Sequence, residues 1–248
     1  MREARDHYEK GNAQGALEAL SRAERTKGNE RVVVVQIYRL RGQAAALADK
    51  PRESLDAFGR YLALEPAADG TGIREEALPL FQKAKVYWKD REPLKIEHLP
   101  PGKVPPGRKV SIPIRVASDP AKMIARRELR YRRQGDKEWK VVMLGAGNES
   151  ADLPPMPVPL AGDDYRIEYY IVAVNEHEGV LDTLGAPSAP LAFLVTESAI
   201  VRPPPWYKKW WVWAAAGAVA AGSVAAYAII SDDGLPDLEP VSNLGARR

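Results

Sequence analysis

The chain has 248 residues, with 36 Lys and Arg against 33 Asp and Glu and a formal net charge of +3. So weak a charge, scattered among acids, argues against a nucleic-acid-binding face. The absence of cysteine excludes disulfides, thiolate metal sites and thiol catalysis.

About 200 residues precede a long apolar run near the C-terminus, enough for one large or two small domains with cores of their own. Residues 1–65 place helix formers at helical spacing, with breaks at Gly28-Asn29 and Asp49-Lys50-Pro51. In the second hairpin, Gly42 and Ser54 are small enough for two helices to approach, and Phe58 is the ring that fills the gap between them. Tyr38 begins this pattern and Pro66 ends it. Ala16, Leu20 and Ala23 repeat the second-helix spacing upstream. Downstream, Ile73 to Trp88 reads as a further helix, with Thr71 as its N-cap and a kink at Pro79.

On these residues, 1–91 resembles a tetratricopeptide array of about one and a half to two repeats plus a closing helix. Arg41 and Ala45 depart from it, standing where that family has leucine and tyrosine. The register puts the first unit's leading helix near or before residue 1. Either that helix is short or a targeting segment belongs upstream of Met1. The resemblance implies a peptide groove lined by the first helix of a unit, from which Gln36, Arg39 and Gln43 would project. Arg39 would supply a charged fork for a carboxylate. The bland reading of the same three residues is the solvated face of an amphipathic helix.

From 93 to 197 the period changes to two. Leu129-Tyr131-Arg133, a turn at Gln134 to Lys137, and Trp139-Val141-Met143 form a hairpin signal. Tyr165, Ile167, Tyr169, Ile171 and Ala173 alternate along a long central strand, and Val110-Ile112-Ile114-Val116 and Leu191-Phe193-Val195 supply others. About seven short strands make a β-sandwich. The segment is similar to a fibronectin type III or immunoglobulin-like module, with Tyr165 or Tyr169 as the tyrosine-corner residue. Trp139 and Tyr169 are expected to face inward, and 93–197 to fold alone.

The polar residues make no catalytic constellation. His7, His98 and His177 lie in separate contexts, and Glu176-His177-Glu178 offers too few convergent ligands for a metal. Asp163-Asp164 fits a turn ahead of a strand better than an acid–base pair. Gly145-Ala146-Gly147 is followed by no helix start and no phosphate-binding Lys, so it reads as a hairpin loop.

After a Pro-rich, basic and aromatic linker over 198–209, residues 210–230 carry no charge. At about 1.5 Å per residue they span about 30 Å, the thickness of a bilayer core. Trp206, Trp210, Trp211 and Trp213 mark one interface. Ala214, Ala218, Gly222 and Ala226 form a small-residue stripe suited to weak self-association, and 231–248 is a short polar tail.

Lys208-Lys209 argue for a cytoplasmic N-terminal side, as does the absence of a visible signal peptide. Arg247-Arg248 beyond the helix weaken that argument. The order of modules resembles bacterial envelope proteins that carry a cleaved signal peptide and expose their repeats outside the cytoplasm. The chain is therefore read as multidomain, α then β. It has tetratricopeptide-like hairpins, an immunoglobulin/fibronectin-like sandwich and one C-terminal transmembrane helix. The expected function is a non-enzymatic envelope scaffold for protein partners, without cofactor, metal or nucleic acid. The alternative is a tail-anchored adaptor on the cytoplasmic face.

Overall fold

Near residue 92 the hydrophobic period falls from 3.6 to 2, and helices give way to strands there. The structure, a computed structural model, describes residues 1–145, 147–158 and 163–197. The linker over 198–209, the proposed membrane span 210–230 and the tail 231–248 lie outside the described residues. Among the described residues no helix is long and apolar enough to cross a membrane.

Five helices come first: α1 (Arg2–Glu9), α2 (Ala13–Glu24), α3 (Arg31–Leu47), α4 (Pro51–Leu64) and α5 (Leu78–Trp88). The α3–α4 approach is as close as its residues allow. A Cβ on Gly42 would meet the Phe58 ring at 2.6 Å, and Ser54 Oγ donates to the Gly42 carbonyl at 2.8 Å. Phe58 is fully buried and meets Phe81 of α5 edge-on, 5.4 Å between centroids.

Two features differ from the sequence reading. A break at Gly11-Asn12 separates α1 from α2, with Gly11 at φ 75° and Asn12 capping α2 by accepting from the Gly15 N–H at 2.9 Å. The last helix starts at Leu78, not Ile73, and its N-cap is Ala77, not Thr71. Pro79 therefore sits in the first turn, where a missing N–H breaks no helical bond, and it starts the helix instead of kinking it.

Eight strands follow: β1 (Lys95–His98), β2 (Val110–Ser118), β3 (Arg126–Arg133), β4 (Lys140–Leu144), β5 (Ser150–Leu153), β6 (Tyr165–Val174), β7 (Val180–Leu184) and β8 (Leu191–Val195). They form two antiparallel sheets. One runs β1-β2-β5. The other runs β4-β3-β6, with β7 and β8 sharing the far edge of β6. The sheets enclose a core of Ile96, Ile112, Ile114 and Leu153 from one side and Leu129, Tyr131, Ile167, Tyr169, Ile171 and Phe193 from the other.

The β6 alternation is as read from the sequence; that of β4 is one residue out. Leu129 pairs with Val142 and Arg127 with Leu144, so Val142 and Leu144 point inward, while Val141 and Met143 are 46% and 66% exposed. Trp139 precedes the strand and packs on the outer face of the sheet, against Tyr170. Arg127 also points inward, where it donates to the carbonyls of Ile114, Gly145 and Asn148 at 2.8, 2.9 and 2.6 Å. Period-2 patterning misleads when a charged residue takes an inward position and a tryptophan an outward one.

The helices and sheets share apolar residues. Leu94, Met123 and Leu181 belong to the same buried cluster as Val34, Phe58, Leu62 and Phe81. Backbone bonds run from Leu94 N–H to Ala63 at 2.8 Å and from Val180 N–H to Asn29 at 2.8 Å. Arg31 donates to the carbonyls of Leu181 and Leu64 and to the Glu65 carboxylate. Residues 93–197 alone would leave Leu94, Met123 and Leu181 without these neighbours, which counts against the expectation that the sheets fold unaided.

Candidate functional site

The helical face singled out from the sequence lies on α3, and its three residues differ in access. Gln36 is exposed and Arg39 half-buried, but Gln43 is only 3% exposed. The Gln43 amide oxygen accepts from Tyr8 Oη at 3.3 Å and from the Arg74 N–H at 3.0 Å. Gln43 therefore does not project into a groove, contrary to what the tetratricopeptide resemblance implies. The connection between α4 and α5 crosses this face. Arg74 stacks over the Tyr8 ring at 4.4 Å, and a Cβ on Gly72 would lie 3.6 Å from Arg39 Nη1. Gln36 and Arg39 remain accessible together.

Arg41, one of the two departures from the repeat pattern, has a structural task. It donates to Glu24 at 2.7 Å and to Ser21 Oγ at 2.9 Å, tying α3 to α2. Tyr38 donates to the same Glu24 at 3.1 Å. Burial, followed by the Glu24 charge, pushes the Tyr38 hydroxyl above its ordinary pKa. Glu24 and Tyr38 line a cleft of about 260 Å³ with Arg60, Lys122 and Asn175.

A second face, on the outside of the larger sheet, went unnoticed in the sequence. Arg126, Glu128, Arg130 and Arg132 are alternate residues of β3, so one strand presents all four on that side. Glu128 is 4% exposed and accepts from Arg126 Nε at 2.9 Å and from Arg130 Nη2 at 2.8 Å. Burial works against its charge, yet the two guanidinium groups outweigh it and hold the carboxyl below the usual range. Arg132 donates to Glu168 at 2.7 Å and lies 4.2 Å over the Trp139 ring; Trp139 meets Tyr170 edge-on at 4.8 Å. Next to this row is a groove of about 440 Å³, floored by Tyr170, Val172, Val174 and Val180. Its signal in the sequence is the period-2 run Arg126, Glu128, Arg130 and Arg132, interleaved with the inward residues Leu129 and Tyr131.

The remaining polar clusters are local. Asn175 Oδ1 accepts from the N–H groups of His177 and Gly179 at 3.0 and 2.8 Å, shaping the turn that carries Glu176-His177-Glu178. Among the described residues, no group of three or more His, Asp or Glu is arranged to hold a metal ion. Asp163 and Asp164 are exposed just ahead of β6. His98 Nε2 and Tyr169 Oη lie 3.0 Å apart at the sheet margin. No family model matches the chain, and no curated protein sequence matches it.

Proposed function

We propose that the chain is a non-enzymatic, single-pass membrane protein of the bacterial envelope that holds a helical-repeat module and a β-sandwich toward protein partners. The observation that carries this reading is the seam. Leu181 and Met123 sit in the helical core, and Arg31 bonds both modules, so the two form one rigid head suited to presenting surfaces at fixed spacing. In the sequence this head is followed by an uncharged stretch of bilayer length.

Within that reading the helices are tetratricopeptide-like, supported by the Gly42–Ser54–Phe58 contact. The sheets are immunoglobulin- or fibronectin-like. Their three-strand and four-position order supports this, with β7 and β8 together filling the last position. So does Tyr165, whose hydroxyl donates to the Pro157 carbonyl at 2.6 Å from the start of β6. A tyrosine corner uses that bond. A short parallel bridge between Val104 and Val195 closes the same end.

The test is fractionation of cells expressing the full chain and a form lacking 206–248. Retention of the first in carbonate-washed membranes and release of the second support the anchor. Full-length protein in the soluble fraction without detergent refutes it. Protease added to spheroplasts then separates an outward-facing head from a cytoplasmic one.

A further inference from the structure

We infer that the outer face of the β4-β3-β6 sheet is a docking site for an extended acidic peptide segment of a partner protein. This rests on reading the chain as a binding scaffold and names which surface binds and what it takes.

Three observations converge. First, Glu128 and Glu168 are sunk beneath the guanidinium groups they hold. Glu178, 37% exposed and 3.5 Å from Arg126, covers the Arg126 end of the row and leaves Arg130 and Arg132 as its open cations. Side-chain exposure is 5% for Glu128 and 15% for Glu168, against 26%, 40% and 23% for Arg126, Arg130 and Arg132. Along Arg130 and Arg132 solvent therefore meets guanidinium groups, although both are paired.

Second, the pairing orients the arginines without exhausting them. Arg132 gives Nε to Glu168, so its Nη donors remain. Arg130 gives Nε and Nη2 to Glu128 and Nη1 to Tyr170 Oη, and each Nη has a second N–H. A guanidinium held by a buried carboxylate and an aromatic ring loses less entropy on binding than a free one.

Third, the spacing is that of an extended chain. Alternate residues of one strand lie about 6.7 Å apart, so Arg130 and Arg132 match carboxylates on alternate residues of a ligand running along β3. Exposed Val141 and Met143 flank the row on β4, and the Tyr170-Val172-Val174 floor lies on its other side. Alternate side chains of an extended ligand share one face, so the methylene stems of its glutamates lie against exposed Val141 and Met143. Tyr, Trp, Arg and Met are also the residues enriched in protein interfaces.

The experiment is fluorescence anisotropy on the full chain with a labelled peptide of alternating Glu and Val, about eight residues long. At about 50 mM salt, where screening is weak, binding is saturable, and it weakens as salt rises. The same peptide with Lys for Glu does not bind. Arg130→Gln removes a donor but strips Glu128 of a partner, so that variant alone is ambiguous if the sheet is disturbed. Met143→Glu and Val141→Glu place a charge on exposed positions that carry no core packing. Each weakens binding about tenfold or more, the loss expected from spoiling one charge-assisted contact.

Absence of saturable binding, or equal affinity in Met143→Glu, overturns the proposal. So does a sulfated polysaccharide that binds as tightly as the peptide and responds to the same variants, since the face is then a general polyanion surface. If the peptide fails while the full chain still retains envelope proteins equally well with and without Met143→Glu, the scaffold reading stands and only this face is eliminated.

Discussion

Leu181 stands on β7, yet its side chain belongs to the helical core, and it is 1% exposed. Leu181→Ala removes a buried isobutyl group from a seam built by two modules that cannot collapse independently. Core Leu→Ala changes cost about 2–5 kcal/mol, and the packing of β7 against α3, whose Val34 and Tyr38 share its cluster, puts the expected loss at about 2.5–4 kcal/mol. With a urea dependence of about 2.5 kcal/mol per molar, the midpoint falls by about 1–1.6 M. The unfolding of the full chain should be followed by two probes. Far-ultraviolet circular dichroism reports the helices, and hydrogen-exchange protection of the β6 amides reports the sheet. Both transitions should shift by the same amount and remain coincident. If the β6 amides lose protection while the helical signal keeps its midpoint, Leu181 is a sheet residue only, and the argument for a welded head fails.

Three further outcomes follow from the geometry. Gly42→Ala drives a methyl into the Phe58 ring and should cost about 1–3 kcal/mol in thermal or urea unfolding, whereas a neutral effect would mean that α3 and α4 slide apart freely. Leu144→Ala should cost about 2–5 kcal/mol and Trp139→Ala roughly 1–2 kcal/mol, because the leucine is enclosed and the indole lies on the outer face; the reverse order would restore the other β4 register. Burial pushes the His98 imidazole below its ordinary pKa of 6.5, so the unfolded chain binds a proton first as pH falls. The contribution of His98 is full above about pH 6.5 and is lost below it, toward the lower folded pKa, so stability measured from about pH 7.5 to about pH 5.5 should fall less in His98→Gln than in the parent. An identical fall in both would place the pH dependence elsewhere.

The order of elements and their type were legible because they depend on local periodicity. Helical spacing stops and alternation begins near residue 92, and Gly42, Ser54 and Phe58 announced a close helix pair by size alone. Tyr165, Ile167, Tyr169, Ile171 and Ala173 faced the core as their alternation required. Other features are products of contacts between residues far apart in the chain, which no local pattern encodes. The inward Arg127 is acceptable only because three carbonyls from β2 and the β4–β5 connection converge on it, and Trp139 sits outward because Tyr170 and Arg132 pack against its indole. Gln43 read as a groove residue until Tyr8 and Arg74, 35 and 31 residues away, took its amide oxygen. The cationic face is of the same kind. Alternation alone placed Arg126, Glu128, Arg130 and Arg132 on one side of β3, but packing decided that Glu128 would be buried and its guanidinium partners left outside it. Burying a carboxylate requires paired donors, and the longer arginine stems reach past it to water.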